Sequence, residues 1–168
     1  MRKALYILGD LEDGDILWLS RNGVVRALAP GEVLIQAGRA VADLFFVTEG
    51  SLAVTAGNGQ RLATLALGDA VGEMSFVEKR LPGATVTALD QVRVLAVPRE
   101  AILAAFERDS GFAARFYHAL AVFLSDRLRS ATSQDGDGDE LDEAILDTVS
   151  QAGERFVRLV ALLEGRER

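Results

Sequence analysis

The chain has no cysteine among its 168 residues. A disulfide framework, an iron–sulfur cluster, a thiolate zinc site and a cysteine nucleophile are therefore excluded. Histidine is nearly as scarce. His118 stands alone, inside an apolar stretch with helical spacing, and reads as an ordinary helix residue. A Ser–His–Asp triad would depend on that one side chain, and a cupin metal centre needs barrel histidines that this sequence does not offer. The chain is read as not an enzyme and as holding no metal. Long apolar runs are missing too: nothing approaches the roughly eighteen residues that cross a bilayer. The Met1–Asp10 segment runs into Asp10, Glu12, Asp13 and Asp15 too soon to form a signal-peptide core and cleavage site. A cytoplasmic location and no membrane contact are expected.

Positive charge is also in short supply. The net charge is −7, and it is unevenly spread. Residues 1–98 carry 9 Lys/Arg against 11 Asp/Glu, residues 99–134 carry 5 against 4, and residues 135–168 carry 4 against 10. The last segment, at −6, repels a phosphate backbone, so direct nucleic-acid binding is not expected. What the chain does have is apolar content: 49% hydrophobic residues are ample for a core.

Ala4 to Leu19 places apolar residues at Leu5, Leu8, Leu11, Ile16 and Leu19 around Gly9 and Gly14, which fits short helical turns. From Val24 to Val97 the texture changes. Short runs rich in β-branched and aromatic residues recur at Val33–Gln36, Leu44–Thr48, Ser51–Ala56, Arg61–Ala66, Ala84–Leu89 and Val92–Val97, separated by glycines. Such strands without long intervening helices indicate a sandwich, jelly roll or barrel. Asn58-Gly59 is a hairpin signal, because both residues tolerate positive φ. Pro98 ends the last strand, and helical spacing then runs over Arg99–Arg108 and, capped by Asp109 or Ser110, over Phe112–Arg129. The apolar band of this second helix is wider than one stripe. Asp135–Glu140 is a polar linker with a passing likeness to a calcium loop. Its sixth position lacks glycine and its twelfth is Leu146, so calcium is not expected. A final helix follows, with Leu141, Ile145, Val149, Ala152, Phe156, Leu159 or Val160, and Leu163 on one stripe.

The most informative segment runs from Gly68-Asp69 through Gly72-Glu73-Met74-Ser75-Phe76 to Arg80-Leu81-Pro82-Gly83-Ala84-Thr85-Val86. A glycine turn, a carboxylate, a short helical turn and a Pro-Gly bend returning to a strand can cradle an anion on backbone N–H groups. The carboxylate can accept from a sugar hydroxyl. Met74 and Phe76 are expected in the core, as are Trp18 and Phe106. Tyr117, on the long helix, is a lesser candidate for ligand contact.

Together with Gly31-Glu32-Val33-Leu34-Ile35 and Leu44-Phe45-Phe46-Val47-Thr48-Glu49-Gly50, this segment resembles the cyclic-nucleotide-binding domain family, the effector domain of the catabolite activator protein among them. The resemblance runs from about Leu17 to Arg129. It implies a mainly β fold with flanking helices: an eight-stranded jelly-roll barrel (a double-stranded β-helix) carrying a phosphate-binding cassette, then a long dimer helix. Glu73 matches the glutamate that holds the ribose 2′-hydroxyl, with Gly72, Met74 and Ser75 beside it. The position of the family's phosphate-binding arginine falls on Pro82, followed by Gly83, Ala84 and Thr85. Arg80 lies two residues early. Three readings stay open: Arg80 swings in as a substitute, the pocket takes a different or weakly held ligand, or the pocket is vestigial.

The expected organisation is a cyclic-nucleotide-binding-like barrel with its dimerisation helix over 1–132, and an acidic linker with an amphipathic helix over 133–168. The expected function is small-molecule sensing by a regulatory domain without its own DNA-binding module, acting by dimerisation or partner contacts. The alternative is a degenerate pocket on a protein–protein interaction scaffold. A cyclic nucleotide, cAMP or cGMP, weakly bound, is the expected ligand, and no other cofactor is. The helix at 112–129 is expected to pair two copies, and the helix at 141–163 to meet a protein partner.

Overall fold

Eight short strands and six helices lie along the residues that the computed structural model describes, 5–132 and 143–165. Two helices open the chain, α1 (Leu5–Asp10) and α2 (Asp13–Asn22). The strands are β1 (Val24–Leu28), β2 (Val33–Ile35), β3 (Asp43–Glu49), β4 (Leu52–Ala56), β5 (Arg61–Leu65), β6 (Ala70–Val71), β7 (Ala84–Ala88) and β8 (Val92–Pro98). A short helix, α3 (Glu73–Glu78), interrupts them between β6 and β7. Three longer helices follow: α4 (Arg99–Arg108), α5 (Ser110–Thr132) and α6 (Glu143–Glu164). The acidic segment 135–140, with its likeness to a calcium loop, lies outside the described residues.

The strands form two antiparallel sheets, ordered β1-β8-β3-β6 and β2-β7-β4-β5. Each sheet position holds one member of a consecutive pair, so β1 and β2, β8 and β7, β3 and β4, and β6 and β5 occupy matching places. That is jelly-roll topology. Leu28, Ile35, Phe45, Val47, Leu52, Leu65, Val71, Val86, Val92 and Val94 form one apolar cluster. The expected barrel is not closed. Among the described residues no ladder joins β1 to β2 or β6 to β5, and with three residues in β2 and two in β6 the edges are too short to complete one. In β3 the run Leu44-Phe45-Phe46-Val47 is buried on both faces, hence apolar throughout rather than alternating.

The β4–β5 connection departs from a two-residue hairpin. Gly59 alone has positive φ, +85°, while Asn58 accepts a hydrogen bond from the Gln60 N–H (3.0 Å) and the Ala56 N–H closes the loop on the Gln60 carbonyl (2.9 Å). A register shift between Val54 and Thr55 absorbs the extra length.

The residues fall into two compact units. Leu19–Ala104 holds both sheets, while the chain before Leu19 and the chain from Ala105 onward make the other. The expected division at 132 follows sequence texture; this one follows packing, since α1 packs on α5 and α6. In the helical unit Trp18, Phe106, Phe112 and Phe116 stack with ring centroids 5.3–5.8 Å apart. The Asp109 carboxylate caps α5 by accepting from the Phe112 N–H at 2.9 Å. Arg115 of α5 donates to both oxygens of the buried Asp15 carboxylate, at 2.8 and 2.9 Å. Ala152, Phe156, Leu159 and Leu163 are buried, so the apolar stripe of α6 is covered within the chain. The Arg155 guanidinium donates to the carbonyls of Leu8 and Gly9, and Arg158 pairs with Asp13.

Candidate nucleotide-binding cassette

The cassette hangs between β6 and β7, and its first residue dictates its shape. Gly72 stands at the N-terminal end of α3 with φ +93°, and a Cβ there would lie 3.1 Å from the Asp43 carbonyl oxygen. Both facts favour glycine. Turning through Gly72 directs the chain into α3, where the Phe76 N–H bonds the Gly72 carbonyl at 3.0 Å. Lys79 ends the helix in the left-handed region (φ 55°), its N–H bonded to the Ser75 carbonyl at 3.2 Å. Upstream, Gly68 and Asp69 anchor β6 to β3: the Gly68 N–H bonds the Val47 carbonyl, and the Val47 N–H bonds that of Asp69.

Glu73 is 3% exposed, a carboxylate buried at the first position of α3. A carboxylate buried this deeply needs a partner, and Glu73 is engaged by an interaction within the protein. Phe76 is buried as expected, and the Arg99 guanidinium lies 5.7 Å over its ring. Met74 is not core: at 61% exposure it faces solvent, because α3 has only two buried side chains, Glu73 and Phe76. Ser75 is half-buried.

At the other end of the cassette the sequence-predicted residues separate. Arg80 does not turn inward; its side chain is 82% exposed and pairs with Glu78 at 3.5 Å. Pro82 is half-buried, Gly83 exposed, and Ala84 and Thr85 half-buried as β7 begins opposite Ala56 and Thr55. The Thr85 hydroxyl is engaged within the protein, accepting from the Ala37 N–H at 3.2 Å and from Gln36 Nε2 at 3.4 Å. The Pro82 carbonyl accepts from the Gly38 N–H at 2.8 Å. The β2–β3 connection thus clamps the cassette. No local sequence signal marks Gln36, Ala37 and Gly38, which lie far from the residues they hold. Arg99, whose buried Nε has no hydrogen-bond partner, was equally silent in sequence.

The histidine sits elsewhere. His118 Nδ1 lies 2.7 Å from the Asp10 carboxylate on an exposed face of the helical unit. Tyr117 packs its ring 5.2 Å from Phe106. Among the described residues, no three His, Cys, Asp or Glu side chains group as metal ligands, and no helix is long and apolar enough to cross a membrane.

A jelly roll with a helical cassette between its sixth and seventh strands, and a buried glutamate after a left-handed glycine, defines a regulatory nucleotide-binding fold. Residues 25–109 match the family model for the cyclic nucleotide-binding domain, and the chain belongs to that family. A curated relative, Glutaminase 2 of Bradyrhizobium diazoefficiens, is 29% identical over 128 residues. That match takes in 76% of this chain but 20% of the glutaminase, so the chain spans about a fifth of its length. Among solved structures, the N-terminal domain of a transcriptional regulator from Streptomyces coelicolor is 26% identical, with TM-score 0.62, over 79% of this chain and 95% of that one. A cyclic nucleotide-binding domain from Methylobacillus flagellatus shares the fold at TM-score 0.72 and 17% identity, over 83% and 85% of the two chains.

Proposed function

We propose that this chain is a sensing module whose cassette has kept the sugar end of the family's site and lost the cation at the phosphate end. The observation that carries this reading is the contrast between buried Glu73 and outward Arg80, with Pro82 where the family's arginine stands. A charge-assisted hydrogen bond to phosphate contributes roughly 1.5–3 kcal/mol, or about 10- to 150-fold in affinity. The ligand is therefore a cyclic nucleotide, cAMP or cGMP, held weakly. Calorimetric titration of either into the pure protein tests this: affinity no tighter than high micromolar is expected, and a sub-micromolar fit would overturn it. Replacing the ligand by its 2′-deoxy analogue should weaken binding further, because the analogue has no 2′-hydroxyl to donate to Glu73.

The output runs through protein contacts rather than DNA, in keeping with the −6 charge of residues 135–168. Two copies pair through α5, whose Tyr117 and Leu128 are 45% and 66% exposed. A protein partner on α6 would meet the face bearing Val157, since the opposite stripe is covered. One observation favours a second reading, a retired pocket serving as an interaction scaffold. Met74, Val77 and Leu81 are all exposed on or just beyond α3, an apolar strip suited to a protein surface. In that case cyclic nucleotides leave the melting temperature unchanged, and Met74→Asp abolishes partner capture without unfolding the domain.

A further inference from the structure

We infer that a groove of about 240 Å³ beside the cassette, lined by β1, β2, the β2–β3 connection and the start of β3, is a second site that binds a small organic oxyanion. Its accessible apolar surface comes from Leu34, Ala40, Val41 and Ala42, over the buried side chains of Ile35 and Phe45, and its charged groups are Arg26, Arg39 and Asp43. The Arg26 guanidinium lies 5.8 Å over the Phe45 ring. Among the described residues neither arginine has an ion-pair partner. Two cations lining one groove repel each other, and an anion between them relieves that repulsion. Asp43 offsets one of the two charges, so the groove carries a net +1 and suits a monoanion. Guanidinium groups hold carboxylate or phosphate oxygens in paired hydrogen bonds. The Ala40-Val41-Ala42 surface offers apolar contact to a short chain. The volume is below the roughly 300 Å³ at which drug-sized pockets begin, so the ligand is smaller than a nucleotide.

No residue of the cassette lines the groove, although Ile35, Val41 and Asp43 also border Gly72, and the inference holds whether or not the cassette takes a ligand. The test is a ¹⁵N-resolved NMR titration of the full chain with butyrate and with butyl phosphate, which share one apolar chain. Butanol and butylammonium serve as neutral and cationic controls at constant ionic strength. Saturable shifts over residues 39–43 are expected with at least one oxyanion, in the millimolar range suited to so small a probe, and none with the controls. A preference between the two oxyanions assigns the carboxylate or the phosphate class. Arg26→Gln and Arg39→Gln should each weaken binding about tenfold or more, and both side chains are exposed, so the fold is not at risk. Shifts that fail to saturate, that butanol reproduces, or that persist unchanged in both variants overturn the proposal.

Discussion

A left-handed backbone costs an L-residue roughly 1–2 kcal/mol, and at Gly72 the approach of the Asp43 carbonyl adds a steric charge to it. Gly72→Ala is accordingly expected to lower stability by about 2 kcal/mol or more in chemical denaturation, and to disturb the cassette before the rest of the fold. Gly50 is under a harder constraint still, with φ +80° and space for a Cβ only 2.2 Å from the Gln91 carbonyl oxygen. Beside it the Ser51 hydroxyl (2.7 Å) and N–H (2.8 Å) both donate to the Asp90 carboxylate. These bonds, the hydroxyl's foremost, hold the Asp90 pKa below the ordinary carboxylate value. A folded-state pKa lowered in this way stabilises the fold above the unfolded-state value and ceases to do so as pH falls through the folded one. Ser51→Ala should move the Asp90 midpoint upward in an NMR titration; an unmoved midpoint would deny the hydroxyl its role.

Between elements, the bond most open to test joins α2 to α5. Arg115 holds the buried Asp15 carboxylate with two hydrogen bonds, and its own pKa is raised chiefly by that carboxylate. Arg115→Met removes the cation from the buried Asp15 carboxylate and leaves it the Glu12 N–H, at 2.8 Å, as a hydrogen-bond donor, at an expected cost of about 3 kcal/mol. Replacing both partners by apolar residues should recover much of the loss; a double variant as weak as the single one would contradict this account. For pairing through α5, Leu128→Asp should shift sedimentation equilibrium from dimer to monomer. The six strand runs and α4 were legible in the sequence to within a residue or two, while α5 extends three residues beyond its expected end at Arg129. β1 and β6 were not read as separate runs: Arg26 breaks the first, and the second is only two residues long. The hairpin at Asn58-Gly59 was found, but not its form, because one left-handed glycine and a side-chain bond suffice to close it.

At the scale of the molecule, the jelly roll and its cassette follow from glycines and apolar runs in a fixed order, which is why family membership could be read from the chain alone. The place of Glu73 in the cassette was legible for the same reason, while its burial is a finding of the structure. The exposure of Met74 was not, since a six-residue helix turns most of its side chains to solvent whatever their polarity. The clamp from Ala37 and Gly38 onto Thr85 and Pro82 joins residues more than forty positions apart and leaves no local trace. Nor did the sequence reveal that α6 covers its stripe against the chain's own first helix. What the cassette does rests on its phosphate end, and one substitution addresses it directly. Calorimetric titration of cAMP into Pro82→Arg, beside the unaltered protein, should show affinity rising by about 10- to 150-fold. Equal affinities, or an unaltered protein already binding below one micromolar, would contradict the loss of the phosphate cation.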